Sequence, residues 1–312
     1  MKIPAEECKI SVIIATRNRA EALEKISLPA LAKQTFKDFE VIVWDASDNA
    51  DSSEVVKRFP ELNIRYFKAP RVGSCSQRND AVKVAGGDII YFIDDDSEPS
   101  PEALKAIFEA MQDETISACS PPIAYSQQSE PSGIIKFLSR LINKVFFLTE
   151  LGKRRVIKKS GRIVIPKTDT PQPAEWLHGG SMACRSEVFD KFYFDEELEY
   201  FMKYAVAEDI MFTYSLHKSG KKIEILEIGN VIHYGNPMSK EEDSNFHAAT
   251  IYNFYLIWRK LIFPYDKSAI FPFGLSLLGS LLKGLIVYLY KRQPHRLKGY
   301  IVGIKKIFRK RG

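Results

Sequence analysis

The chain has 312 residues, 45% hydrophobic and 27% charged, enough to bury one large core or two smaller ones and ordinary for a globular protein. Its formal charge of +6 is uneven: nine Lys and Arg and no acid lie between Lys291 and Gly312, so the basicity belongs to a tail, and no nucleic-acid partner is expected. Cys8, Cys75, Cys119 and Cys184 form no C-x-x-C pair, which argues against a zinc ribbon or disulfide framework and, with no apolar signal core over Met1–Glu7, points to reduced thiols in a cytoplasmic protein.

Lys9–Ala15 is predicted to be a buried strand, because Ile10, Val12, Ile13 and Ile14 form a β-branched apolar run. A turn over Thr16–Arg19 leads into a helix over about Ala20–Gln34, striped by Leu23, Ile26 and Leu31. Phe39–Trp44 is a second strand closed by Asp45-Ala46-Ser47-Asp48-Asn49, a polar helix covers about Ser52–Phe59, and Ile64–Phe67 is a third strand. Gly73 opens a helix that carries Gln77-Arg78-Asn79 and ends at Gly86-Gly87; Ile89–Ile93 is a fourth strand, running into Asp94-Asp95-Asp96. Strands alternating with helices predict right-handed crossovers and a mostly parallel α/β sheet. Ligands of such sheets bind beyond the carboxyl ends of the strands. Thr16/Arg17, Asp45 and Asp94–Asp96 all follow strand ends, so three polar clusters share one rim.

The three adjacent carboxylates repel one another, and burying them unpaired is costly. Their oxygens suit hard divalent cations such as Mg²⁺ or Mn²⁺, which bridge to substrate phosphates, so a metal–diphosphate site is expected there. A solvated acidic turn, followed by Ser97-Glu98-Pro99 as a helix-start signal, is the bland alternative.

The ordered segments S-V-I-I-A-T-R-N-R-A, V-I-V-W-D-A-S-D-N, Q-R-N-D-A and I-Y-F-I-D-D-D-S-E-P resemble the nucleotide-binding half of family-2 inverting glycosyltransferases, over roughly residues 9–235. The resemblance implies the GT-A fold and a nucleotide-sugar donor, a UDP-sugar foremost. It places Asp45 at the nucleobase, Thr16 and Arg17 in the nucleotide cleft, and Arg78 with Asn79 supporting the nucleotide or the acidic loop. Asp96 becomes the metal ligand, with Asp94 and Asp95 on the ribose or a metal-bound water. Farther on, W-L-H-G-G-S-M-A resembles the family's glycine-containing segment near the sugar and diphosphate, giving roles to Gly179 and Gly180. A-E-D-I-M-F resembles its Glu-Asp motif, with Asp209 as catalytic base and Glu208 as substitute. His233, ending a strand over Ile228–His233, is a further metal candidate, with His178 behind it. Departures from the family are Trp44-Asp45 in place of paired Asp, and the absence of a Gln-x-x-Arg-Trp segment, which argues against processive polymerisation.

Between these halves, Ser120–Gly133 reads as a loop, and a hairpin is expected around Ser160-Gly161. Ile134–Leu148 is apolar with Lys136, Arg140 and Lys144 on one helical face, and would pack on the core or lie on a membrane. Glu241–Phe263 is an aromatic-rich helix; Ala269–Tyr290 is apolar but interrupted by Lys283 and three glycines. One span is long enough, yet helices resting on an anionic membrane fit the basic tail better. The expected organisation is a catalytic domain over 1–240 (nucleotide part about 1–125, acceptor part about 126–240) and a helical basic extension over 241–312. A glycan or lipid-linked acceptor at the cytoplasmic face of the membrane follows. The competing classes are a nucleotidyltransferase or other metal- and phosphate-handling α/β enzyme, and a non-catalytic membrane-associated relative.

Overall fold

The computed structural model describes residues 8–125, 133–235 and 240–309. Met1–Glu7, the second part of the Ser120–Gly133 loop, Asn236 and the terminal Lys310 and Arg311 lie outside them, as do the side chains of Lys136 and Lys291. The strands are β1 Ile10–Thr16, β2 Phe39–Asp45, β3 Ile64–Lys68, β4 Ile89–Ile93, β5 Ser97–Pro99, β6 Ile116–Ser120, β7 Ile123–Tyr125, β8 Glu150–Gly152, β9 Val156–Ile157, β10 Ile163–Pro166, β11 Gln172–Pro173, β12 Ser181–Arg185, β13 Lys222–Ile225 and β14 Val231–His233. The α-helices are α1 Ala20–Ala22, α2 Leu28–Ala32, α3 Asp51–Val56, α4 Ser74–Val82, α5 Ala103–Ala110, α6 Gly133–Val145, α7 Glu208–Lys218, α8 Lys240–Ile257, α9 Ile270–Lys291 and α10 Pro294–Phe308.

Two compact units interleave along the chain. The first takes Met1–Gln127, Thr168–Glu196 and Glu208–Gly235; the second takes Gln128–Lys167, Glu197–Ala207 and Asn236–Gly312. The first unit is built on an eight-stranded sheet of order β11-β13-β6-β12-β4-β1-β2-β3. In β1, alternate residues Ile10, Val12 and Ile14 join Leu23, Leu28, Leu31, Leu104 and Ile107 in one core. Ile13, Ile42 and Phe92, on adjacent strands, are buried as well. Both faces are covered, which is why these strands read as unbroken apolar runs rather than alternating ones.

Register fixes where the polar ends fall. β1 lies parallel to β2 with Thr16 opposite Asp45, and parallel to β4 with Ile14 opposite Ile93. β12 runs antiparallel to β4 with Ser181 opposite Ile93, so its entry lies at the exit of β4. In a three-stranded sheet of order β5-β14-β7, β14 pairs antiparallel with β5, setting His233 opposite Ser97. The predicted first helix is not uniform: a π-turn over Leu23–Ser27 separates α1 from α2, which ends at Ala32. Pro29, in the first turn of α2, has no N–H to continue an i→i−4 ladder.

In the second unit, β9 and β10 form the expected hairpin, with Gly161 at φ 81°. α8 continues into a π-turn over Trp258–Ile262. Gly299 and Gly303 of α10 let that helix press onto α8: a Cβ at Gly303 would lie 2.7 Å from the Ala248 carbonyl oxygen.

Gly87, just before β4, permits a similarly close approach, since its Cβ would fall 2.6 Å from the Ser11 backbone nitrogen and 2.8 Å from the Ile10 carbonyl carbon. Backbone in a central strand cannot yield cheaply. Gly87→Ala is expected to lower unfolding stability by about 1–3 kcal/mol, read as a lower urea midpoint at unchanged slope; an unmoved midpoint would contradict this packing.

Candidate active site

The first cluster grows from the end of β1. The Thr16 hydroxyl donates to Asp95 Oδ2 (2.7 Å). Asn18 then adopts φ 54°, a left-handed conformation that Asn tolerates. Its side chain is tied to Asp48 in both directions, at 2.7 and 2.8 Å. This turn sends its two neighbours to different places. Arg17 faces solvent with its Nη2 3.4 Å from Asp48. Arg19 turns inward, with Nη1 2.9 Å from Asp95 Oδ1 and Nη2 2.6 Å from Asp96 Oδ2. Arg17, the arginine expected in the cleft from sequence, is thus a rim residue, and Arg19, which sequence reasoning passed over, meets the carboxylates. The R-N-R spacing was the available signal, but the inward direction depends on the Asn18 backbone.

All three carboxylates after β4 are buried. Asp94 and Asp96 face His233, whose Nε2 lies 3.2 Å from Asp94 Oδ2 and 3.3 Å from Asp96 Oδ1. Asp94, Asp96 and His233 can each turn one donor atom to a common point, the three atoms lying within 4.8 Å of one another. Asp96 Oδ1 is buried and accepts no hydrogen bond among the described residues. Two carboxylates and an imidazole, with one acceptor oxygen left over, fit Mg²⁺ or Mn²⁺. Asp94 therefore stands with the metal candidates rather than apart from them, while Asp95 is turned toward Thr16 and Arg19. Burial penalises the Asp94 carboxylate, but the hydrogen bond with His233 and the Arg78 charge outweigh it and hold its pKa well below the usual range. Burial lifts Asp95 to about 7, against the pull of Arg19 and Thr16. Burial disfavours the His233 imidazolium, yet Asp94 and Asp96 raise its pKa.

A second cluster adjoins the first through Arg78 on α4. This guanidinium is 3% exposed. Its Nη2 donates to Asp94 Oδ1 (3.0 Å) and its Nη1 to Glu208 Oε1 (2.5 Å), at the start of α7. It also lies 5.5 Å from the Phe194 ring centre. Asn79 next to it clamps the Phe194 backbone, donating to its carbonyl and accepting from its N–H, both at 2.9 Å. Asn79 thus braces the wall behind Arg78. Asp209 accepts from the Gly179 N–H (2.6 Å) and from its own helix at Ile210 N (2.7 Å). Burial, reinforced by the Asp209 charge, raises Glu208 despite its bond to Arg78.

Gly179 and Gly180 run between the two clusters, where a side chain would crowd its neighbours. A Cβ at 179 would sit 3.2 Å from Asp209 Cβ and 3.3 Å from Arg78 Nη2. At 180 it would sit 2.9 Å from the His233 ring, 3.1 Å from His178 Nδ1 and 3.3 Å from Asp94 Oδ2. His178 packs its ring 5.5 Å from that of His233 and accepts from the Gly180 N–H (3.0 Å).

Asp45 belongs to the supporting structure beside these clusters. It is fully buried, with the Ser47 N–H (2.8 Å) and hydroxyl on Oδ1 and the Tyr66 hydroxyl on Oδ2 (2.7 Å). Gln77, also unforeseen, ties the strand ends together by donating to the carbonyls of Thr16 (3.0 Å) and Trp44 (2.9 Å).

Residues 11–162 match the family described as Glycosyl transferase family 2. The chain is 26% identical over 275 residues to chondroitin synthase of Escherichia coli, covering 83% of this chain and 39% of that protein; it thus spans about two-fifths of that relative's length. Among solved structures it resembles a mannosyltransferase from Pyrobaculum calidifontis in complex with GDP-Man and Mn²⁺, at TM-score 0.57 and 15% identity, over 97% of this chain and 88% of that one. It also resembles S. aureus TarS in complex with UDP-GlcNAc, at TM-score 0.52 and 18% identity, over 96% and 91% of the two chains. These structural likenesses carry the fold, a mostly parallel sheet flanked by helices. The matched residues hold β1, β2, β4 and the acidic loop, so residues 11–162 form a domain of the glycosyl transferase family 2 type, and the solved neighbours give the chain the GT-A fold.

Proposed function

We propose that this protein is a metal-dependent inverting glycosyltransferase that moves a sugar from a nucleoside-diphosphate donor to a hydroxyl of a glycan or lipid-linked acceptor. One observation carries the proposal: Arg78 and the Gly179-Gly180 backbone join a metal-type cluster (Asp94, Asp96, His233) to a carboxylate pair (Glu208, Asp209) at the start of a helix. Group transfer from a diphosphate needs both: positive charge at the departing group and a base at the entering one.

Asp209 takes the proton from the acceptor hydroxyl, whose oxygen attacks the anomeric carbon as the bond to the diphosphate breaks; the configuration inverts. The Gly179 N–H and the first turn of α7 orient that carboxylate. Glu208, raised by burial, is the substitute base. Asp94, Asp96 and His233 would hold the Mg²⁺ or Mn²⁺, which would supply positive charge to stabilise the departing diphosphate. Arg78 keeps Asp94 aimed at that site. Gly179 and Gly180, near the sugar and diphosphate, let the backbone pass close to Asp209, Arg78 and His233. Thr16 orders Asp95 for the ribose, and Arg17 is exposed for base or phosphate. Asp45 serves the nucleotide side by bracing Ser47 and Tyr66. A UDP-sugar is the foremost donor, and the acceptor is presented at an anionic membrane on its cytoplasmic face.

A panel of nucleotide sugars, scored for donor turnover, tests the reaction class; a protein silent on all of them while still binding Mn²⁺ would favour a different phosphate chemistry. Asp209→Asn is expected to bind donor near normally and to turn over at least ~10²-fold more slowly, measured as kcat against donor KM; full kcat would move the base elsewhere. EDTA is expected to stop turnover, Mg²⁺ or Mn²⁺ to restore it, and Asp96→Ala to lose that response with its circular dichroism unchanged. Turnover indifferent to EDTA would remove the metal from the proposal.

A further inference from the structure

The second unit carries a feature that glycosyl transfer does not use. Along α9, Phe271, Leu275, Leu278, Leu282, Leu285 and Leu289 recur at alternating steps of four and three, which is one face of a helix. Leu275 and Leu282 are half-buried, whereas Phe271 (69%), Leu278 (55%), Leu285 (42%) and Leu289 (59%) are exposed. The stripe holds no polar residue over nearly the whole helix. α6 adds exposed Phe137, Leu141 and Val145 at steps of four.

The opposite face of α9 is committed to protein. Phe273 stacks on the Trp258 ring with centres 4.2 Å apart. Ser280 accepts from buried Arg162 Nη2 (3.2 Å), and Lys283 donates its ammonium to Asn143 of α6 (3.0 Å). A Cβ at Gly279 would overlap Phe146, and one at Gly284 would meet Leu297 and Tyr300 of α10 at 3.0–3.2 Å. By length and mean hydropathy (1.8) the 24 residues Lys267–Tyr290 could cross a membrane. Crossing would strip those polar partners into lipid, where unsatisfied groups are expensive. Charge points the same way. Neither α6 nor the stretch from Ile270 to Phe308 contains an Asp or Glu, while Arg140, Lys144, Arg292, Lys298 and Lys305 are exposed on these helices.

The geometry points to α9 as an in-plane anchor: its leucine stripe, with the outer face of α6, sinks into one leaflet of an anionic membrane while its inner face stays on protein. This deepens the membrane partner named above by fixing the mode of contact and assigning the residues. An apolar face bordered by cations is what such a surface selects, one part buried area and one part attraction to anionic headgroups.

The test uses the purified full chain with phosphatidylcholine vesicles and with one-to-one phosphatidylcholine–phosphatidylglycerol vesicles. Co-sedimentation is expected with the anionic vesicles, weakened by salt, and reduced at least about tenfold in the L278E/L285E double variant; equal binding by that variant overturns the assignment. Both positions are exposed, so folding, followed by circular dichroism, is expected to be unchanged. In a Cys8→Ser background, Lys267→Cys and Arg292→Cys are both expected to react with an impermeant maleimide after vesicle binding; protection of one end would mean a span and overturn the in-plane anchor. A dimer in vesicle-free solution that the double variant abolishes would assign the stripe to a second copy instead. Turnover of a soluble nucleotide sugar without vesicles is expected to be equal in wild type and double variant. A wild type that binds vesicles without turning over donor would sink the catalytic proposal alone, and one that turns over donor without binding vesicles would sink the anchor alone.

Discussion

The site depends on one buried cation. Arg78 is almost fully withdrawn from water, and its guanidinium is shared between Asp94 on the strand side and Glu208 on the helix side. Taking one charge out of water costs several kcal/mol, and such a group persists only when its partners are placed to repay the cost. The repayment constrains the whole first unit. α4 must deliver Arg78 from one side, β4 must end at Asp94, and α7 must begin at Glu208. Removing either acid takes away one of the two carboxylates that balance Arg78, so the metal-type cluster and the carboxylate pair are held in fixed relation by electrostatics as well as by the sheet.

Much of this was legible in the amino-acid sequence, for identifiable reasons. The strands β1, β2 and β4 announce themselves as apolar runs because the sheet is covered on both faces, and a strand ending in three carboxylates is hard to mistake for loop. Asp209 at a helix start was visible as an acid pair before an apolar run. What was not legible depends on dihedral angles and side-chain direction. Nothing in R-N-R reveals that a left-handed Asn18 sends Arg17 to solvent and Arg19 to the acids. Asp94, Asp95 and Asp96 look equivalent as letters; only the turn after β4, with Ser97 N–H bonded to the Asp94 carbonyl at 3.0 Å, sends Asp95 toward Thr16 and its neighbours toward His233. The interleaving of the two units was invisible as well, since local periodicity carries no record of which distant segments share a core.

Arg19 has a particular electrostatic place. Its two ends lie on Asp95 and Asp96, so it offsets part of a charge that three adjacent carboxylates would otherwise leave unbalanced. Burial disfavours the Arg19 cation, yet the same acids raise its pKa. A fixed cation beside a candidate metal cluster offsets part of its negative charge and would compete with an ion for Asp96.

The glycine pair before β12 carries one more implication. At position 180 even a single methyl group would touch His233, His178 and Asp94 together. Those three side chains come from three separate stretches of chain, and the tightest approach, 2.9 Å, is to the His233 ring. The position is locked by crowding rather than by any chemistry of its own. A larger side chain at this position would have to displace the His233 ring, and with it one member of the Asp94–Asp96–His233 cluster.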